Sequence, residues 1–187
     1  MKIIITFLIV LTAFPLFANP YSDVSESEMI FIRNNFYAAV DSEDSLDVLK
    51  KFIDRNYPEE ENYPVLILAY AGGVESLKAK YTPFPISKFL HVKKALNKLE
   101  MAVETAPDNL EIRFLRFAIL NNIPAILGYG KERREDTERI VDLLIQKNYT
   151  HLDLDSQIDI SNYMLDSDRL SEEQIFKLKN SFLALNE

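Results

Sequence analysis

The chain of 187 residues contains no cysteine, no tryptophan, four glycines and two histidines. Each scarcity excludes something. Without cysteine there is no disulfide, no thiol nucleophile and no Cys-based zinc site, so stability must rest on packing alone. His91 and His151 are far apart in sequence, and His91 has Lys88, Lys94 and Lys98 around it, a poor environment for a metal cation. No HExxH pair and no nucleophile elbow occurs. Nor is there an Asn-Gly hairpin signal or any long alternation of apolar and polar residues, which speaks against sheets. The segment "GYGKERRED" lacks the spacing and the Gly-Lys-Ser/Thr ending of a phosphate-cradling loop. "DLDSQID" has acids at 153, 155 and 159, but a calcium loop needs Gly and Glu where this chain has Ile158 and Met164. Those acids are expected to cap helices. With no catalytic constellation in view, the expectation is a protein that is not an enzyme and uses no cofactor or metal.

Long apolar runs are few as well. One predominantly apolar stretch opens the chain: Lys2 is followed by apolar residues from Ile3 to Leu11, broken only by Thr6, then Pro15 and the small Ala18. A charged start, a short apolar core and a small residue form the layout of a secretory signal peptide, with cleavage expected after Ala18. Interrupted by Thr12 and Pro15, the stretch falls short of the roughly 20 residues of a spanning helix. Export to the periplasm or exterior therefore leaves residues 19–187 as one domain, with no stable membrane span. Lys2 leaves with the signal, so 20 basic residues face 29 acidic ones and the net charge is −9. That balance opposes nucleic acid, and by the same reasoning adsorption to anionic lipid.

What is present is helical periodicity. "SESEMIFIRNNFYAAV" opens on Ser25 or Ser27 as a cap, then repeats Met29, Ile32, Phe36 and Ala39 at steps of three and four. In "DSLDVLKKFIDRN" Asp44 is the expected cap, and Leu46, Leu49, Phe52 and Ile53 form the stripe. Pro64 suits the first position of the next helix, whose early part is apolar all round. The helix of "PISKFLHVKKALNKLEMAVETAP" carries Phe89, Val92, Leu96, Leu99 and Val103, with His91, Lys94 and Lys98 expected to face away. Asp108 or Asn109 caps the following helix, "REDTERIVDLLIQKN" and "SQIDISNYMLD" read as shorter ones, and Ser171 with Gln174 gives the last a capping box. The fold class is all-α, about eight helices in antiparallel hairpins. Gly72 and Gly73 lie within a helical stretch at a cost of roughly 2 kcal/mol relative to alanine, and close approach of a neighbouring helix, or a break between helices, is the expected reason. Gly128 and Gly130 mark a chain reversal around Tyr129.

In "ALNKLEMAVETAPDN", Ala95, Leu99, Ala102 and Pro107 have the spacing of the second helix of a tetratricopeptide repeat. The resemblance covers half of one repeat: Pro83 and Pro85 interrupt the preceding helix, and Arg113 and Arg116 occupy apolar positions of the next. It implies a right-handed stack of helical hairpins, with a compact helical bundle as the alternative. More widely, "AYAGGVESLKAK", "EIRFLRFAILNNIPAILGY" and "LDSDRLSEEQ" resemble an uncharacterised group of secreted bacterial helical proteins. That resemblance implies the fold and compartment and supplies no catalytic residue.

Arg113 and Arg116 are the residues most in need of explanation. Three apart, they share a helix face otherwise rich in apolar residues. An unpaired buried guanidinium costs several kcal/mol, so carboxylates must lie near, and Glu100, Glu104, Glu132, Glu135 and Asp136 are the candidates. One reading is a clamp between helices; the other is an anion site for a small carboxylate or peptide end, using Arg113, Arg116 and Tyr129. The function expected is binding of a protein or peptide partner of the cell envelope, with the small-ligand site as the alternative.

Overall fold

The structure, a computed structural model, describes residues 24–149 and 152–183. The expected signal peptide and its cleavage point lie outside the described residues. Among those described there are eight α-helices and no strand: α1 (Glu26–Ala39), α2 (Glu43–Asn56), α3 (Val65–Tyr81), α4 (Pro85–Thr105), α5 (Leu110–Asn122), α6 (Gly130–Ile145), α7 (Leu154–Asp166) and α8 (Glu172–Leu183), with short 3-10 turns at Glu60–Asn62 and Ala125–Leu127. The all-α reading holds.

Local chemistry explains most boundaries. Ser25 starts α1 with a reciprocal box: its hydroxyl accepts from the Glu28 N–H at 3.3 Å, and its own N–H donates to Glu28 Oε2 at 2.9 Å. Asn109 caps α5 by accepting from the Ile112 N–H at 3.0 Å, and Asp153 caps α7 from the Ser156 N–H at 2.8 Å. Ser171 and Gln174 make the expected reciprocal pair at 2.9 and 3.2 Å. Three boundaries differ from expectation. Ser42, not Asp44, caps α2, because its hydroxyl reaches the Ser45 N–H at 3.2 Å. Pro64 stands one residue before α3, and α6 begins at Gly130, several residues earlier than its apolar stripe suggests. The reversal before α6 is made by Gly128, whose φ of 87° suits a residue without Cβ.

α3 and α4 form an antiparallel hairpin: Gly72 meets Ala95 and Leu99, Glu75 reaches His91, and Lys88 reaches back to Lys80. Here the helix glycines find their reason. A Cβ on Gly72 would lie 2.9 Å from Leu99 Cγ and 3.0 Å from the Ala95 carbonyl oxygen, and one on Gly73 would lie 2.5 Å from the Phe36 ring. α3 runs unbroken and lets α4 and α1 approach on its two sides. It packs on both α1 and α2, and α5 packs on both α3 and α4. Two apolar clusters result, one built on α1–α4 and one on α6, α7 and α8. α5 serves both, giving Ile112 and Leu115 to the first and Leu110 and Phe117 to the second.

The face of α4 departs from the expected stripe. Val103, Leu99 and Leu96 are buried, but Phe89 is 51% exposed. His91 and Lys98 do not face away: His91 Nδ1 lies 2.8 Å from Glu75, and Lys98 is paired with Glu60. A long lysine stem lets the charge reach an acid while its methylenes cover apolar surface.

Candidate functional site

The α5–α6 hairpin places Arg113 and Arg116 opposite Asp136, which is wholly buried. Arg116 grips it through two bonds, Nε to Oδ2 at 2.7 Å and Nη2 to Oδ1 at 2.8 Å, and its Nη1 donates to Glu100 of α4. Arg113 donates to the same carboxylate at 2.9 Å and to the Pro107 carbonyl at 2.7 Å. Burial pulls the Arg116 pKa down, but hydrogen bonds and charge from Asp136 and Glu100 outweigh it and raise the value above the ordinary one. Of the five candidate carboxylates, two are engaged; Glu135 instead lies 3.3 Å from Lys131. This is the geometry of a brace joining α4, α5 and α6. Tyr129 stands at the N-terminal boundary of α6, and among the described residues no hydrogen bond joins it to either arginine. The structure thus brings Arg113 and Arg116 together on Asp136.

A second buried network has no counterpart in the sequence reading. Arg33 of α1 holds Glu111 of α5 through two bonds, at 2.7 and 2.8 Å, and the Tyr70 hydroxyl of α3 donates to the same carboxylate at 2.6 Å. All three residues are buried. Glu111 raises Arg33 through its hydrogen bonds, more than burial lowers it; burial and then the Glu111 charge push Tyr70 well above the ordinary phenol. The signal available was an arginine directly beside Ile32 on the buried face of α1, but its partner lies 78 residues away.

Near this network stands a further tyrosine of α1. Tyr37 exposes 46% of its surface, yet burial, followed by the carboxylates of Glu111 and Asp159, pushes its hydroxyl up to about 12. The charge of Asp153, the α7 cap, also reaches both Tyr37 and Arg33. The Tyr37 hydroxyl thus feels carboxylates carried by α5 and by α7 and its cap.

Two hollows lie elsewhere on the described residues. A hollow of about 70 Å³ between α2, α3 and α4 is lined by Lys50, Asp54, Glu60, Glu75, Lys78 and Lys98; small-molecule pockets run upward from roughly 300 Å³. Within it Glu75 accepts from Lys78 at 2.6 Å and contacts His91. Burial raises its pKa, but the hydrogen bonds with Lys78 and His91 lower it more, to below the ordinary carboxylate value. A shallow hollow of about 450 Å³ lies over Val48, Phe52 and Arg55 of α2. Among the described residues, no cluster of three or more histidines and acids is placed to hold a metal ion, and no helix is long and apolar enough to cross a membrane. Asp153, proposed above as a cap rather than a calcium ligand, spends both oxygens on Ser156.

Comparison of the chain with protein-family models, with curated proteins and with solved structures finds no match.

Proposed function

We propose that this chain is an exported, non-enzymatic helical scaffold that binds a protein or peptide partner on the surface around Tyr37. The observation that carries the reading is the placement of this tyrosine: half exposed on α1, with the charges of Glu111, Asp159 and Asp153 near enough to act on its hydroxyl. Tyrosine offers a large contact area at low entropic cost together with a polar tip, which is why it recurs at the centres of protein interfaces. The flanking acids suit a partner segment bearing a lysine or arginine. Support for an extended binding surface comes from the hairpins, in which α3 and α5 each pack on both helices before them; a stack of tetratricopeptide type would present such a surface along its odd-numbered helices.

The small-carboxylate reading at Arg113 and Arg116 needs a ligand that displaces Asp136 from both guanidinium groups, and no observation favours it. The test is affinity capture from envelope extract with residues 19–187 as bait, beside Tyr37→Ala and Asp159→Lys baits. A partner retained by the wild type and lost from both variants, with melting temperatures unchanged, supports the reading. Equal retention by all three, or an empty wild-type column, contradicts it.

A further inference from the structure

The acidity of the whole chain conceals a local reversal. Residues 76 to 99 contain six lysines and no acid, whereas the rest of the chain has 15 basic against 29 acidic residues. This stretch is the end of α3, the turn and the first half of α4. Lys78 and Lys98 are spent on Glu75 and Glu60, and Lys80 lies 3.5 Å from Asp41. Lys88, Lys93 and Lys94 are exposed and, among the described residues, make no ion pair.

The same tip holds exposed apolar side chains: Phe84 at 69%, Ile86 at 77%, Phe89 at 51% and Leu90 at 51%. Pro83 and Pro85 enclose Phe84, which is extended (φ −90°, ψ 125°), so the segment has little freedom to fold back and cover itself. On α4, Ile86, Leu90, Lys93 and Lys94 occupy the side opposite Ala95, Leu99 and Ala102, which are buried against α3. α4 thus has one apolar face committed to the core and a second, ringed by lysines, left exposed among the described residues.

We propose that this tip docks the protein on a bilayer surface bearing anionic lipid. Composition separates this from a protein interface: interfaces between proteins are enriched in arginine and depleted in lysine, and here the rim is lysine alone. Lysines around phenylalanine and leucine are the composition of a surface that rests in the headgroup layer, the long stems lying along the apolar boundary while their charges meet phosphate. The acidity of the remaining surface adds direction, because an anionic leaflet repels every other approach. The proposal is independent of the surface around Tyr37.

The experiment is co-sedimentation of residues 19–187 with vesicles of phosphatidylglycerol and phosphatidylcholine in equal parts, against phosphatidylcholine alone. The core clusters lie entirely within the described residues, so this chain retains both. Preferential binding to the anionic vesicles is expected, declining as salt rises. Lys93→Gln/Lys94→Gln should weaken it about 30-fold, a factor of about five per lysine. Ile86→Ser/Leu90→Ser should weaken it by about tenfold or more through lost apolar contact. Both variants change exposed positions, so their melting temperatures should match the wild type. Equal sedimentation with both vesicle types, or binding that neither variant alters, overturns the proposal. So does capture of a protein that requires Ile86 and Leu90, which would assign the face to a protein partner.

Discussion

Arg33 and Arg116 hold their carboxylates with nearly identical geometry, two bonds of 2.7 and 2.8 Å in each case, but they join different things. Arg116 and Asp136 are 20 residues apart, on consecutive helices of one hairpin, and the carboxylate is shared with Arg113. Arg33 and Glu111 are 78 residues apart and tie α1 to α5, with Tyr70 of α3 completing the network. The first brace closes a local hairpin; the second fixes how separate hairpins sit on each other. Local closure costs little chain entropy, while the long-range tie must be reached after the intervening helices are in place.

The comparison can be broken at either end. Asp136→Ala should have the largest effect, because it strips the partner from two guanidinium groups at once. A loss of about 3–5 kcal/mol is expected from equilibrium urea unfolding. Glu111→Gln keeps the shape but leaves Arg33 buried against a neutral amide, and should cost about 2–3 kcal/mol by the same measurement. Tyr70→Phe removes only a hydroxyl bonded to a charged acceptor, for which about 1.5 kcal/mol is expected, read as a lowered melting temperature. A control away from both networks runs in the opposite direction. Lys147 ends α6 with φ of 57°, while the N–H groups of Lys147 and Asn148 close on the carbonyls of Leu144 and Leu143. Lys147→Gly should therefore stabilise the protein by about 0.5–1 kcal/mol, seen as a higher urea midpoint.

The same contrast explains what was legible in the sequence. Spacing of three and four residues reveals the helices; the cap at Ser171 can be read outright, and those at Ser25 and Asn109 as one of two candidates each, because capping is settled within a few residues. The need of Arg113 and Arg116 for acids, and Asp136 and Glu100 as candidates, followed from proximity along the chain. Arg33–Glu111 did not follow, because nothing in a single sequence marks two residues 78 positions apart as partners. The outer face of α4 was misread for another reason: Phe89 fits the period of the buried stripe, and only the position of α3 shows that it lies at its edge, 51% exposed. Net charge is likewise a coarse guide, since a total cannot show that six lysines share a stretch without acids.

The central structural claim is that the α5 arginines brace helices rather than await a ligand. A double-mutant cycle on Arg116→Ala and Asp136→Ala, measured by urea unfolding of residues 19–187, tests it most directly. The account predicts strong coupling, with the double variant losing at least about 2 kcal/mol less than the sum of the single losses. Single losses that add to within about 0.5 kcal/mol, or an Arg116→Ala protein as stable as the wild type, would contradict it.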